Sequence, residues 1–129
     1  MQKLNQSYIK SVVKKALDED LKPRGDITTN LIKFKNKKAK AQIIAKQDGI
    51  IAGLDFCKTA FKLVGKETIF ISKVKDGAKV KKNKVIAEIK AKTKTILIAE
   101  RTALNFLNHT SGIATLTNQF KQKVNKKTK

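Results

Sequence analysis

Ile96-Leu97-Ile98-Ala99-Glu100-Arg101-Thr102-Ala103-Leu104-Asn105-Phe106-Leu107 is the most organised stretch of this 129-residue chain. Ile96, Ala99, Ala103 and Leu107 recur every three or four positions, so they share one side of an α-helix, and Leu97, Leu104 and Phe106 widen that stripe. The pattern predicts a strongly packed helix that continues to His109. Arg101, Asn105 and then Asn108 or His109 fall at i, i+4 and i+7 or i+8, a polar line beside the apolar one. Of the 30 basic residues, only Arg24 and Arg101 are arginines. A guanidinium presents a planar fork that holds a carboxylate by two parallel hydrogen bonds, which an ammonium does not reproduce. Spacing alone leaves two readings of Arg101 open: a carboxylate clamp, or part of a wet helix face with an ion pair to Glu100 or across an interface.

Downstream, Ser111-Gly112 is expected to break the helix, after which Ile113, Leu116, Phe120 and Val124 define a second helical stripe. That stripe runs into Lys121–Lys129, which holds five lysines and no acid. Upstream, Tyr8, Ile9, Val12, Val13, Ala16 and Leu17 predict an amphipathic helix over Ser7–Asp20, ended by Pro23 and Gly25. Gly25-Asp26-Ile27-Thr28-Thr29 reads as a loop whose short oxygen-bearing side chains cap or turn the backbone. Ala39–Ala45 reads as a half-buried strand, with Asp48-Gly49 making a hairpin-like bend into Ile50-Ile51-Ala52. Leu54, Cys57, Ala60, Phe61 and Val64 give a one-faced helix over Gly53–Val64, with Gly65 as C-cap. Thr68–Ser72, Val74, Val80 and Val85–Ile89, punctuated by Asp76-Gly77, read as short antiparallel strands. Their spacing resembles the hairpin of biotinyl and lipoyl carrier domains, but no internal repeat supplies the modified lysine that a carrier needs.

The formal net charge of +20 raises a nucleic-acid reading, because lysine and arginine neutralise phosphates and release counterions. Three features weigh against it: arginine is scarce, aromatics make up 5% of the chain, and lysines recur from Lys3 to Lys129 without one concentrated stripe. A generally lysine-rich composition, with electrostatic steering of small anions as a side benefit, accounts for the charge. No run approaches the roughly 20 apolar residues of a membrane helix, and Met1–Gln6 lacks a secretory apolar core; a cytoplasmic address follows as an expectation. Cys57 stands alone among apolar neighbours and, with one His in the chain, reads as core filler rather than a zinc ligand.

Ala99–Leu107, followed by Ser111-Gly112-Ile113-Ala114-Thr115, resembles the long signature of the quinolinate phosphoribosyltransferases, also called nicotinate-nucleotide pyrophosphorylases. Glu19-Asp20-Leu21, Gly25–Thr29, Asp48-Gly49 with Ala52-Gly53, and Asp76-Gly77 follow in that family's order, so the resemblance spans nearly the whole chain. It implies an α+β, α/β-hammerhead-type N-terminal domain over residues 1–129, with antiparallel strands packed on helices. It also implies head-to-tail pairing in a homo-oligomer, in which this domain meets the catalytic α/β barrel of a partner subunit. Arg101 matches the family's N-terminal substrate arginine, which binds a carboxylate of quinolinate; the barrel supplies the catalytic and metal-binding residues. The implied reaction joins quinolinate to phosphoribosyl pyrophosphate and yields nicotinate mononucleotide, pyrophosphate and carbon dioxide in NAD biosynthesis. Magnesium accompanies phosphoribosyl pyrophosphate in the complete enzyme, and this domain alone is expected to bind no cofactor.

Departures from the family pattern fall mostly in turns: Asn83 where a hairpin glycine is common, Lys90-Ala91 where a glycine often follows the strand, and His109-Thr110 where a basic or polar residue and leucine are commoner. The chain stops at Lys129, where the family continues into its barrel, so the sequence reads as a truncated domain, inactive alone and with an uncovered apolar face. Two other classes stay in view: a basic nucleic-acid-binding module, and a related phosphoribosyltransferase-like protein with another substrate.

Overall fold

Asn5 starts the first helix, accepting a hydrogen bond on Oδ1 from the Ser7 N–H at 2.7 Å, the usual way a short polar side chain satisfies an orphan amide at a helix start. The computed structural model describes residues 5–21 and 37–127, without the side chains of Leu21 and of residues 120–127. In chain order the elements are α1 (Gln6–Leu21), β1 (Lys38–Ile44), β2 (Gly49–Ile50), α2 (Leu54–Val64), β3 (Ile69–Ser72), β4 (Lys79–Val80), β5 (Val85–Lys92) and α3 (Thr93–Lys127). The expected Pro23–Gly25 stop, the Gly25–Thr29 loop and Arg24 lie outside the described residues, as do the side chains of Phe120 and Val124.

The fold is α+β, with a three-stranded antiparallel sheet in the order β1-β5-β3 and a separate two-stranded pair of β2 with β4. Period-two alternation sends Ala39, Ala41 and Ile43 of β1, and Ala91, Ile89 and Ala87 opposite them, to the helix side. α1 packs on α2 and α3 and buries Ile9, Val13 and Leu17, each worth about 1.5–3 kcal/mol of gross hydrophobic gain. Tyr8, expected in the same stripe, is 57% exposed, because one position of rotation carries it past the contact.

Helices α2 and α3 meet through small side chains: Cys57 and Ala60 on one, Ala99 and Ala103 on the other, all at 0% exposure. Small residues at the crossing let the backbones approach closely, and larger rings flank the contact, with Phe56 stacked on Phe106 at 5.3 Å. Burial pushes the Cys57 thiol up to about 12, leaving it protonated and inert, in keeping with core filler.

The structure corrects two expectations. β1 and β2 do not form a hairpin about Asp48-Gly49: β1 pairs with β5 and β2 with β4. Asp48 instead reaches across the turn, its Oδ1 accepting from the Lys82 N–H at 2.8 Å. Nor does Ser111-Gly112 end a helix, for α3 runs unbroken from Thr93 to Lys127. Glycine costs about 1 kcal/mol inside a helix, and tertiary bonds at this point outweigh it.

Candidate substrate-binding site

Those bonds come from hydroxyls on α3. Ser111 Oγ accepts from the Ala52 N–H at 3.0 Å and donates to the Ala52 carbonyl at 3.2 Å. One turn on, Thr115 Oγ1 accepts from the Ile50 N–H at 2.9 Å while donating to the Ser111 carbonyl at 2.8 Å. β2 and the residues after it therefore find on the helix the partners that a third strand would otherwise give. The approach is close enough to need glycine: a Cβ on Gly49 would stand 2.9 Å from Thr115 Oγ1, and one on Gly53 2.9 Å from Thr110 Oγ1. Gly53 also has φ 91°, and the α2 amide it would otherwise cap is met from the β3–β4 turn, where Asp76 Oδ1 accepts from the Leu54 N–H at 3.2 Å.

Nearer its start α3 is tied to α1. Thr102, 2% exposed, donates its hydroxyl to Asp20 Oδ2 at 2.5 Å, a charge-assisted bond of the short, strong kind. Thr102 and Ala103 thus face inward, and their neighbour Arg101 is left on the surface. Asn105, Asn108 and His109 are exposed on the same helix, matching the expected polar line. Among the described residues Arg101 makes no ion pair or hydrogen bond; the ion pair recorded is Lys73 with Glu88 at 3.9 Å. The Arg101–Glu100 pairing left open by the spacing is therefore not formed. Glu100 instead lines a groove of about 970 Å³ between β1, β2 and α3, along with Ile44, Ile96, Leu104 and Leu116. Ile44 is 46% and Leu116 67% exposed, so this groove carries open apolar surface.

Sequence reasoning singled out Arg101 and missed the bond that its neighbour Thr102 makes to Asp20. Thr102 sits between two alanines of the buried stripe, and a hydroxyl in that position was the available signal. Ser111 was read as a breaker because its partners, 59 residues away, leave no local trace. Among the described residues no group of three or more His, Cys, Asp or Glu converges.

A family model described as "Quinolinate phosphoribosyl transferase, N-terminal domain" matches residues 26–111. The chain belongs to this family. The "Probable nicotinate-nucleotide pyrophosphorylase [carboxylating]" of Methanocaldococcus jannaschii is 43% identical over 117 residues, 90% of this chain and 39% of that protein. The "Quinolinate phosphoribosyltransferase [decarboxylating] 1b" of Nicotiana tabacum is 37% identical over 109 residues, 84% of this chain and 31% of its own length. The solved nicotinate-nucleotide pyrophosphorylase of Francisella tularensis superposes with a TM-score of 0.82 at 33% identity, covering 91% of this chain and 41% of that one. The chain thus spans about a third to two fifths of the length of these relatives.

As a quinolinate phosphoribosyltransferase N-terminal domain, it accommodates its departures by recognisable means. Asn83 has φ 77°, the one positive φ among described non-glycine residues, and asparagine tolerates that left-handed conformation better than most side chains. Lys90 and Ala91 lie inside β5, paired with Lys40 and Ala39. Thr110 donates its hydroxyl to the Phe106 carbonyl at 2.7 Å and packs where Gly53 has no side chain.

Proposed function

We propose that this domain presents Arg101 as a carboxylate clamp to the quinolinate site of a phosphoribosyltransferase. The enzyme would convert quinolinate and phosphoribosyl pyrophosphate to nicotinate mononucleotide, pyrophosphate and carbon dioxide. One observation carries the reading. Arg101 is an exposed guanidinium without an internal partner among the described residues, on a helix whose next two residues are buried and pinned. Its backbone is held in this way, its fork is free to take a carboxylate by two parallel hydrogen bonds, and the bound dianion gives up part of its repulsion toward a polyphosphate held beside it. The remaining cations, the acidic groups that hold magnesium with phosphoribosyl pyrophosphate, and the reacting ribose belong in this reading to the barrel of a partner subunit.

The open apolar groove along α3 supports a homo-oligomeric assembly, because contiguous uncovered apolar surface marks an interaction face. No helix among the described residues is long and apolar enough to cross a membrane. A cytoplasmic address is part of the proposal, although some relatives carry names such as "Quinolinate phosphoribosyltransferase [decarboxylating] 2b, mitochondrial".

The test is a chimera in which this chain replaces the corresponding domain of the Francisella tularensis protein. Arg101→Lys keeps the charge and loses the fork. It should lower kcat/KM for quinolinate by roughly 1–3 kcal/mol of transition-state binding, about 5- to 150-fold. Unchanged kinetics would remove Arg101 from the site.

A further inference from the structure

Lysines that are scattered in the sequence are gathered by the sheet register. Lys38 stands directly opposite Lys92, and Lys40 opposite Lys90. Directly opposed residues of an antiparallel pair project to the same face, so four ammonium-bearing side chains, all exposed, rise from a rectangle of about 5 Å by about 7 Å. Like charges in this arrangement repel, and among the described residues none of the four forms an ion pair; Glu88, next along the same face of β5, pairs with Lys73 at 3.9 Å instead. Their strands border a groove of about 810 Å³ whose helix-side wall is Ala39, Ala91, residues 64–68 and Thr95. The strand alternation puts the four lysine side chains on the opposite face, at the groove's rim, and Glu67 is the one acid among the described lining residues. Its rim is held by the start of α3, where Thr93 donates both its N–H and its hydroxyl to the Lys37 carbonyl at 2.8 and 3.0 Å.

We infer that this lysine face of the sheet binds a short oligophosphate, either an inorganic chain or the polyphosphate tail of a nucleotide. The site is separate from Arg101, and the inference does not depend on the quinolinate reading. Lysines engage phosphate as point charges, and a rectangle of ammonium groups suits neighbouring phosphates of one chain. Among the described residues neither an aromatic side chain nor an arginine lines the groove, so these residues offer a nucleic-acid strand no stacking platform and no base-reading fork. A repulsive cluster costs stability in the empty protein, and a polyanion converts that cost into binding.

The experiment is calorimetric titration of the chain with phosphate, pyrophosphate, tripolyphosphate, ATP and a single-stranded oligothymidylate series. It compares the native protein with two variants that each lose four charges: K38Q/K40Q/K90Q/K92Q, and K10Q/K14Q/K15Q/K62Q on exposed helix positions. Affinity should rise from phosphate to tripolyphosphate and fall on the order of tenfold between 0.01 and 0.15 M salt, as the Debye length shrinks from about 30 to about 8 Å. The sheet variant should lose at least roughly tenfold in tripolyphosphate affinity while melting no lower than the native protein, since it sheds like-charge pairs. The helix variant should stay within about threefold, because its charges lie off that face. ATP bound as tightly as tripolyphosphate would point to a nucleotide tail, and weaker ATP binding to an inorganic chain; both support the site. Equal losses in the two variants would reduce the effect to net charge and overturn it. So would oligothymidylate binding that strengthens with length and depends on the sheet lysines more than tripolyphosphate binding does, which would assign the surface to a strand.

Discussion

Replacing Thr102 by valine keeps the shape of a side chain that is 2% exposed and removes its hydroxyl. The change opens no cavity, so its cost isolates the bond to Asp20 Oδ2 at 2.5 Å. Hydrogen bonds to charged groups contribute about 1.5–3 kcal/mol, and a buried partner left unpaired brings its desolvation penalty as well. Asp20 is only half-buried and regains water when the hydroxyl is lost, which places the expected destabilisation in the lower half of that range, roughly 1.5–2 kcal/mol. For a chain of this size that corresponds to about 5–8 °C in Tm. Urea unfolding should show a lower midpoint at unchanged slope, since the exposed surface of the unfolded state is the same. A cycle with Asp20→Ala should give a coupling on the order of 1–2 kcal/mol. A Thr102→Val variant within about 0.5 kcal/mol of the native protein, or a coupling near zero, would mean that this contact does not tie α1 to α3, and the account of how Arg101 is presented would fall with it.

Two further substitutions test the packing of α3. Gly112 lies inside that helix with open space where a Cβ would go, so Gly112→Ala should stabilise the protein by about 0.5–1 kcal/mol; a loss measured by thermal melting would restore the expected break at Ser111-Gly112. Gly65 has an ordinary extended φ of −139°, yet its added Cβ would stand 2.6 Å from Thr95 Oγ1. Gly65→Ala should therefore destabilise alone and recover most of its loss when combined with Thr95→Ala. Gly53→Ala should stay destabilised by about 1–2 kcal/mol even with Thr110→Ala, because its φ of 91° is unfavourable for any L side chain; complete rescue in chemical denaturation would contradict that.

Periodicity carried the helices. Leu54, Cys57, Ala60 and Phe61 are buried as their spacing requires, and Ala99, Ala103 and Leu107 likewise on α3, because a one-sided stripe has few ways to leave water. Partner choice was not legible in the same way. Asp48-Gly49 has the chemistry of a hairpin turn, yet β1 goes to β5 and β2 to β4, since pairing is decided by which edges the helices leave open. Gly112 was overruled for a related reason: its local preference is worth about 1 kcal/mol, while Thr115 and Ser111 satisfy the amides of Ile50 in β2 and of Ala52 just after it.

Charge shows the same division between composition and placement. The four lysines of β1 and β5 looked dispersed because positions 38 and 92 are far apart along the chain, and only the register brings them opposite one another. Arg101 stood out in the sequence as a rare residue in an apolar helix; what the fold adds is an absence of internal demand on it, with Glu100 turned to a different groove. A cation that the described residues neither bury nor pair does little for the stability of this domain, which is what the proposed clamp requires. Arg101→Ala sharpens the point: it should leave Tm within about 1–2 °C of the native value, as expected for a surface change of under 0.5 kcal/mol. A large fall in Tm would make Arg101 a structural residue and withdraw the argument for a clamp.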